Sequence, residues 1–105
     1  MMQIIDNLLY DTADSILLAW NSDYDAGFLW FDDSVDKLYA TKNGRFFFHR
    51  KRYSQCFFSL NCDEWIEPCN EKVAQEFTLE HNPYNFDVVW KGKSRGLERW
   101  TKMNM

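Results

Sequence analysis

Two histidines, three cysteines and sixteen acidic residues hold the acid, base, thiol and metal-binding chemistry of this 105-residue chain. His49 stands in FFHRKR, and His81 closes a helical pattern. A catalytic histidine requires an orienting partner and a reacting group within hydrogen-bond reach. No Ser, Cys or Asp stands in a recognisable frame around either one, and His81 suits the negative C-terminal end of its helix. Cys56, Cys62, Cys69 and His81 are spaced with five, six and eleven residues between them. Zinc ligands come as close pairs such as C-x-x-C, so the cysteines read as free, buried thiols. Gly27, Gly44, Gly92 and Gly96 are scattered, and none opens a helix in a phosphate-binding frame. The expectation is a non-enzymatic protein with no metal and no cofactor.

Binding chemistry is better represented. Asp23, Asp25, Asp32, Asp33 and Asp36 bracket the apolar run FLWF, which contains Phe28 and Trp30. A calcium loop would need D-x-D-x-D-G with a distal Glu, and that order is absent. Carboxylates beside exposed aromatics can instead imitate phosphate and base, and so occupy a cationic channel meant for nucleic acid; the plainer alternative is an ordinary acidic loop. A second cluster, FFFHRKRY, sets aromatics beside Arg50, Lys51 and Arg52, close to Arg45. That combination suits a single-stranded nucleic-acid surface, but a chain with pI near 5.0 meets long-range repulsion from nucleic acid. Charge alternates in blocks along the chain: −8 over residues 1–36, +6 over 37–60, −6 over 61–90 and +4 over 91–105. Such blocks either neutralise one another across a sheet or leave one block facing a partner.

These residues must be positioned by a single small domain. Aromatics make up 18% of the chain, so Phe, Tyr and Trp must build much of the core. No apolar run reaches the length of a membrane span, and the aspartate-bearing start lacks a positive n-region, so a cytoplasmic location is expected. Residues 1–90 form the expected domain, with 91–105 as a basic tail.

Ile4, Leu8 and Tyr10 are assigned one face of a strand broken by a turn at Asp6-Asn7. The run Ile16–Trp20 is strand or short helix by periodicity, with strand preferred. SDYDAG reads as a loop, FLWF as a short strand, and DDSVD as a break. Lys37–Thr41 and Arg45–Arg50 read as a hairpin closed by a type I′ turn at Asn43-Gly44. Phe46, Phe47 and Phe48 imply a central strand covered on both faces. YSQCFFSLN reads as one further strand, with Cys56, Phe58 and Leu60 on one side and Phe57 on the other. A helix begins after Pro68: Asn70 is its N-cap, Val73, Ala74, Phe77 and His81 lie along its apolar face, and Asn82-Pro83 closes it. The sum is an α+β fold, an antiparallel β-sheet of about four to five strands with one packed C-terminal helix.

Within this pattern Leu9, Tyr10, Asp11 and Thr12, then Leu38, Tyr39, Thr41, Lys42, Gly44, Phe46 and Phe47, and finally Pro68, Glu71 and Ala74 make a recognisable series. It resembles a family of small phage and mobile-element proteins with the motifs YDT-x-x-A, LY-x-T-K-x-G-x-F-F and P-x-x-E, over residues 8 to 80. The resemblance implies an antiparallel sheet with a packed helix and a role in host–parasite conflict. Some proteins of that setting are anti-CRISPR inhibitors, which act by binding an effector complex. The chain departs from the pattern in RKRYSQC, where a glycine-rich acidic stretch is usual, and in its basic tail. The expected function is therefore inhibition of a bacterial defence complex, a CRISPR nuclease foremost, by protein–protein contact. Asp23, Asp25, Phe28, Trp30, Asp32, Asp33 and Asp36 would make the primary contact, and Arg45, Arg50, Lys51 and Arg52 secondary ones. The alternative is a small nucleic-acid-binding regulator using those four cations and the tail. Either protein would be a monomer or homodimer without membrane contact.

Overall fold

The computed structural model describes residues 1–56 and 59–91 of the chain. Its first two strands, β1 (Met2–Ile5) and β2 (Leu8–Asp11), form an antiparallel hairpin. Asp6 and Asn7 turn the chain with φ of 52° and 65°. This is the left-handed pair that a type I′ turn requires and that short polar side chains tolerate. Ile4 opposes Leu9, while Ile5 opposes Leu8 and Gln3 opposes Tyr10. Ile4 therefore lies on the outer face, not with Leu8 and Tyr10 as expected, because the two-residue turn sets the register. One 3-10 turn, Thr12–Asp14, follows, capped by Asp11, whose carboxylate accepts the Ala13 N–H at 3.0 Å.

Four strands of equal length then run as an antiparallel meander: β3 (Ile16–Ala26), β4 (Trp30–Ala40), β5 (Phe46–Cys56) and β6 (Ser59–Cys69), side by side in that order. The Ile16–Trp20 run is thus strand. Three local expectations are corrected. Asp23–Asp36 is not a loop around a short strand: the chain reverses only at Phe28-Leu29, where the Gly27 N–H donates to the Trp30 carbonyl at 2.9 Å, and the aspartates belong to β3 and β4. Cross-strand pairing overrides the low strand propensity of Asp. The β4–β5 connection is not type I′. Only Gly44 has positive φ, 82°, and Gly44 N–H donates to the Thr41 carbonyl while Thr41 N–H donates to that of Arg45. That is the three-residue loop with a left-handed glycine. The expected single strand over YSQCFFSLN is two: β5 ends at Cys56, β6 starts at Ser59, and Cys56 pairs with Ser59 while Leu60 pairs with Gln55 on the opposite face. The placements expected for Phe57 and Phe58, and the expected tail beyond Lys91, lie outside the described residues.

Pro68 belongs to β6, an edge strand, where its missing N–H is tolerated. Helix α1 (Glu71–His81) starts one residue after the expected N-cap, and Asn70 accepts the Val73 N–H at 2.9 Å. A short helix α2 (Pro83–Phe86) and a single π-helical turn (Asp87–Lys91) complete the described chain. Ala74 and Thr78 are the buried residues of α1 and Val73 is exposed, so the buried stripe is rotated from the expected one. Thr78 enters the core because its hydroxyl donates to the Ala74 carbonyl at 2.7 Å, which leaves no unpaired polar hydrogen inside.

The two faces of the sheet are covered by different elements, and only at one end. On the first face, Leu38, Ala40, Phe46 and Phe48 pack with Leu18 under Ala74 and Val89, bordered by Phe77 and Trp90. On the second, Tyr10 and Ile5 of the N-terminal hairpin cover Phe47, Ile66 and Tyr39. The covered end is also where the sheet edges are tied down. Asn82 and Asn85 donate to the Leu18 carbonyl at the β3 irregularity, and Gln3 accepts the Ile66 N–H. Beyond this block, no described element covers either face of the remaining half of the sheet.

Candidate functional site: the acidic face of the sheet

Directly opposed residues share a sheet face, so the register sorts the candidate residues. The helix-bearing face continues outward as Asn21, Asp23 and Asp25 on β3, and Asp36, Ser34, Asp32 and Trp30 on β4. It goes on with Arg50, Arg52 and Ser54 on β5, and Glu67, Trp65, Asp63 and Asn61 on β6. From Asp23 to Glu67 that face sets six carboxylates against two guanidinium groups. Asp33 lies on the other face, and Phe28 is at the turn, 94% exposed. The register therefore gathers Asp23, Asp25, Asp32, Asp36 and Trp30 on one face and leaves Phe28 at the turn, while Asp33, on the other face by register, still borders the hollow that Asp23, Asp25 and Asp32 line. Asp63 joins the cluster from β6. Its signal was weak in the sequence, because it depends on a chain reversal within an apolar run.

Asp36 is engaged inside the molecule. Its Oδ1 accepts from Arg50 Nη1 and Arg52 Nη1, each at 3.0 Å. Arg50 also reaches Glu67 at 3.0 Å and lies 4.1 Å from the Phe48 ring centroid; Arg52 lies 5.5 Å from that of Trp65. These forked and stacked geometries are those arginine favours. Arg45 is placed elsewhere: its guanidinium lies 5.7 Å from the centroid of the Tyr10 ring, and its Nε is buried without a hydrogen-bond partner. Lys51 is on the second face, opposite Val35 and Glu64.

Asp23, Asp25, Asp32 and Asp63 form no ion pair among the described residues. They line an open hollow of about 580 Å³ together with Ser34 and Arg52. Asp25 directly opposes Asp32 across the β3–β4 ladder, an arrangement in which like charges destabilise a sheet. Asp63 directly opposes Arg52 across the β5–β6 ladder, a favourable cross-strand placement, whereas neither the sheet nor the core requires the charges of Asp25 and Asp32. What the arrangement can do chemically is present a dense row of acceptor oxygens, with an indole at its outer end, to a cation-bearing surface. Gly27 makes room for that indole, since a Cβ there would collide with the Trp30 ring.

The second face carries a different polar contact. His49, 9% exposed, holds Glu64 at 2.6 Å between Nε2 and Oε1. This hydrogen bond first, and then the nearby Lys51 charge, hold the Glu64 carboxyl below its ordinary range. A carboxylate with a lowered pKa in the folded state adds stability above its unfolded pKa and loses it as pH falls through the folded value. Thermal midpoints measured from neutral pH downward should therefore fall less steeply through the acidic range for Glu64→Gln than for the wild type. Equal slopes would show that the His49 contact contributes nothing.

The cysteines are free, as expected, but Cys56 and Cys62 are exposed, because they lie on the uncovered half. Cys69, beside the helix core, is partly buried, and burial pushes its thiol up to about 11. Among the described residues no group of His, Cys, Asp and Glu is arranged to hold a metal ion. No described helix is long and apolar enough to cross a membrane. No family model, curated protein or solved structure matches this chain.

Proposed function

We propose that this protein is a non-enzymatic inhibitor that binds the cationic, nucleic-acid-accommodating groove of a bacterial defence complex through its acidic face. The resemblance to small mobile-element proteins directs the choice of complex to a CRISPR effector in the host cytoplasm. The observation that carries the reading is Asp25 opposite Asp32, flanked by Asp23 and Asp63, with no ion-pair partner for any of them among the described residues. Repulsion of this kind is relieved when a cationic surface closes over it, and single-sign surfaces accelerate association with the opposite sign. Trp30 at the end of the row supplies the kind of aromatic anchor in which binding energy concentrates. The nucleic-acid alternative has less support, because Arg50 and Arg52 are engaged with Asp36 and Arg45 lies against the N-terminal hairpin.

The test is a triple variant, Asp23→Asn, Asp25→Asn and Asp32→Asn, assayed by recovery of partners from a host lysate and by association kinetics with the recovered complex. The association rate at low salt should fall about tenfold or more and lose most of its salt dependence, with the fold intact. Unchanged rate and salt dependence would refute the reading. Salt-sensitive shifts of short DNA or RNA, abolished by Arg50→Ala with Arg52→Ala, would favour the regulator instead.

A further inference from the structure

The uncovered half of the second face differs from the acidic one in both charge and polarity. It exposes Trp20 (56%), Tyr24 (68%) and Leu60, with Leu17 exposed at its inner border, and Tyr24 stacks on Phe31 at 6.0 Å between ring centroids. Its charges are balanced, with Lys37 and Lys51 matched by Asp33 and Glu64. A face with an excess of one sign repels its own copy, whereas a balanced, aromatic-rich face does not.

Two features at opposite ends of the β3–β4 pair are complementary. At the outer end the turn presents Phe28, 94% exposed, beside Leu29. At the inner end, Leu17, Trp20 and Val35, with Ser22, Asp33 and Lys37 at the margins, line an open hollow of about 510 Å³. No residue of the N-terminal hairpin lines this hollow, and the hairpin packs just beside it, on Tyr39 opposite Leu17. A two-fold axis lying between two such faces and perpendicular to the strands places the outer end of one β3–β4 pair over the inner end of the other. The contact is then made twice by a single operation, which closes the assembly.

We infer that the chain forms a symmetric dimer through this second face, with Phe28 of each copy seated in the Leu17–Trp20–Val35 hollow of the other. Four strands about 4.8 Å apart and about seven residues of about 3.3 Å each give roughly 450 Å² of projected face per copy. That is below the ~800 Å² per partner of a standard interface, so the dimer is a reversible one. Both acidic faces point outward in it, so dimerisation and partner binding use opposite sides of the sheet.

The full chain should show a concentration-dependent rise from monomer to dimer mass in sedimentation equilibrium between about 1 and about 200 µM, the range in which small interfaces operate. Phe28→Ser and, separately, Trp20→Ser should each weaken dimerisation about tenfold or more, with circular dichroism unchanged. Both side chains are exposed in the single chain, so neither change removes core contacts. Asp32→Asn, on the opposite face, should leave dimerisation as it is. A monomer throughout the range would overturn the inference, and so would a dimer that survives both substitutions. Because the acidic-face variants and these variants share no residue, failure of one reading leaves the other standing.

Discussion

Replacing Phe47 with alanine should lower the thermal midpoint by about 15–30 °C, the largest single-residue effect expected in this chain. Phe47 is fully buried. Tyr39 stacks on it at 5.3 Å, and Tyr10 meets it edge-on at 5.4 Å. Truncating a buried Phe costs about 3–5 kcal/mol, and about 4–8 °C of midpoint per kcal/mol applies to a domain of this size. The loss should be at the high end, because Tyr10 arrives from a different element and the cavity would separate the N-terminal hairpin from the sheet. Phe47→Leu, which keeps most of the apolar volume, should recover more than half of the stability. A midpoint drop below about 5 °C for the alanine variant would show that the hairpin is not anchored through this ring.

The second large effect separates two aspartates that look alike in the sequence. Asp36→Ala removes the shared acceptor of Arg50 and Arg52. Asp36 is 16% exposed at its side chain, and leaving half-buried cations without a partner costs up to about 3–5 kcal/mol. Arg50 retains Glu67 and Arg52 is 39% exposed, so solvent and the remaining carboxylate recover part of that, leaving about 2 kcal/mol. Asp32→Asn, four residues earlier on the same face, should be neutral or stabilising, since it relieves the repulsion from Asp25. Denaturant unfolding of the two variants checks the contrast. If Asp36→Ala proved neutral, the arginines would be available for other contacts, and the nucleic-acid reading would regain its cations.

The two substitutions mark a division of labour within one sheet. Its inner half is a scaffold: rings and aliphatics on both faces, edges capped by Asn82, Asn85 and Gln3, and the Asp36–Arg50–Glu67 pairing at its border. Its outer half has no described cover and carries acidic residues on one face and aromatics on the other. Charged side chains on exposed strands also discourage unwanted edge-to-edge pairing. That accounts for some acidic residues near the β3 and β6 edges. It does not account for Asp32 on the interior strand β4, opposite Asp25.

Local signals in the sequence were legible where chemistry acts over a few residues. Asn70 as N-cap, the turn at Asp6-Asn7, the chain reversal near Gly44 and the three consecutive phenylalanines of a strand covered on both faces all rest on short-range sterics, hydrogen bonding and burial. Strand ends were less legible. Asp23, Asp25, Asp32 and Asp33 have poor strand propensity, and only pairing with a neighbouring strand makes them extended. The reversal between Cys56 and Ser59 lacks a Gly, Pro or Asn-Gly signal, so by local pattern the segment is one long strand.

The amino-acid order by itself determined that this is an α+β chain with an aromatic core, one amphipathic helix and charge sorted into blocks, because periodicity and composition are properties of the chain alone. Only the tertiary structure decided which charges are neutralised within the molecule and which are left open. Strand register places Asp36 beside two arginines, Asp32 opposite another aspartate and Asp33 on the reverse face. Register is set by long-range pairing, and a shift of one residue exchanges the faces.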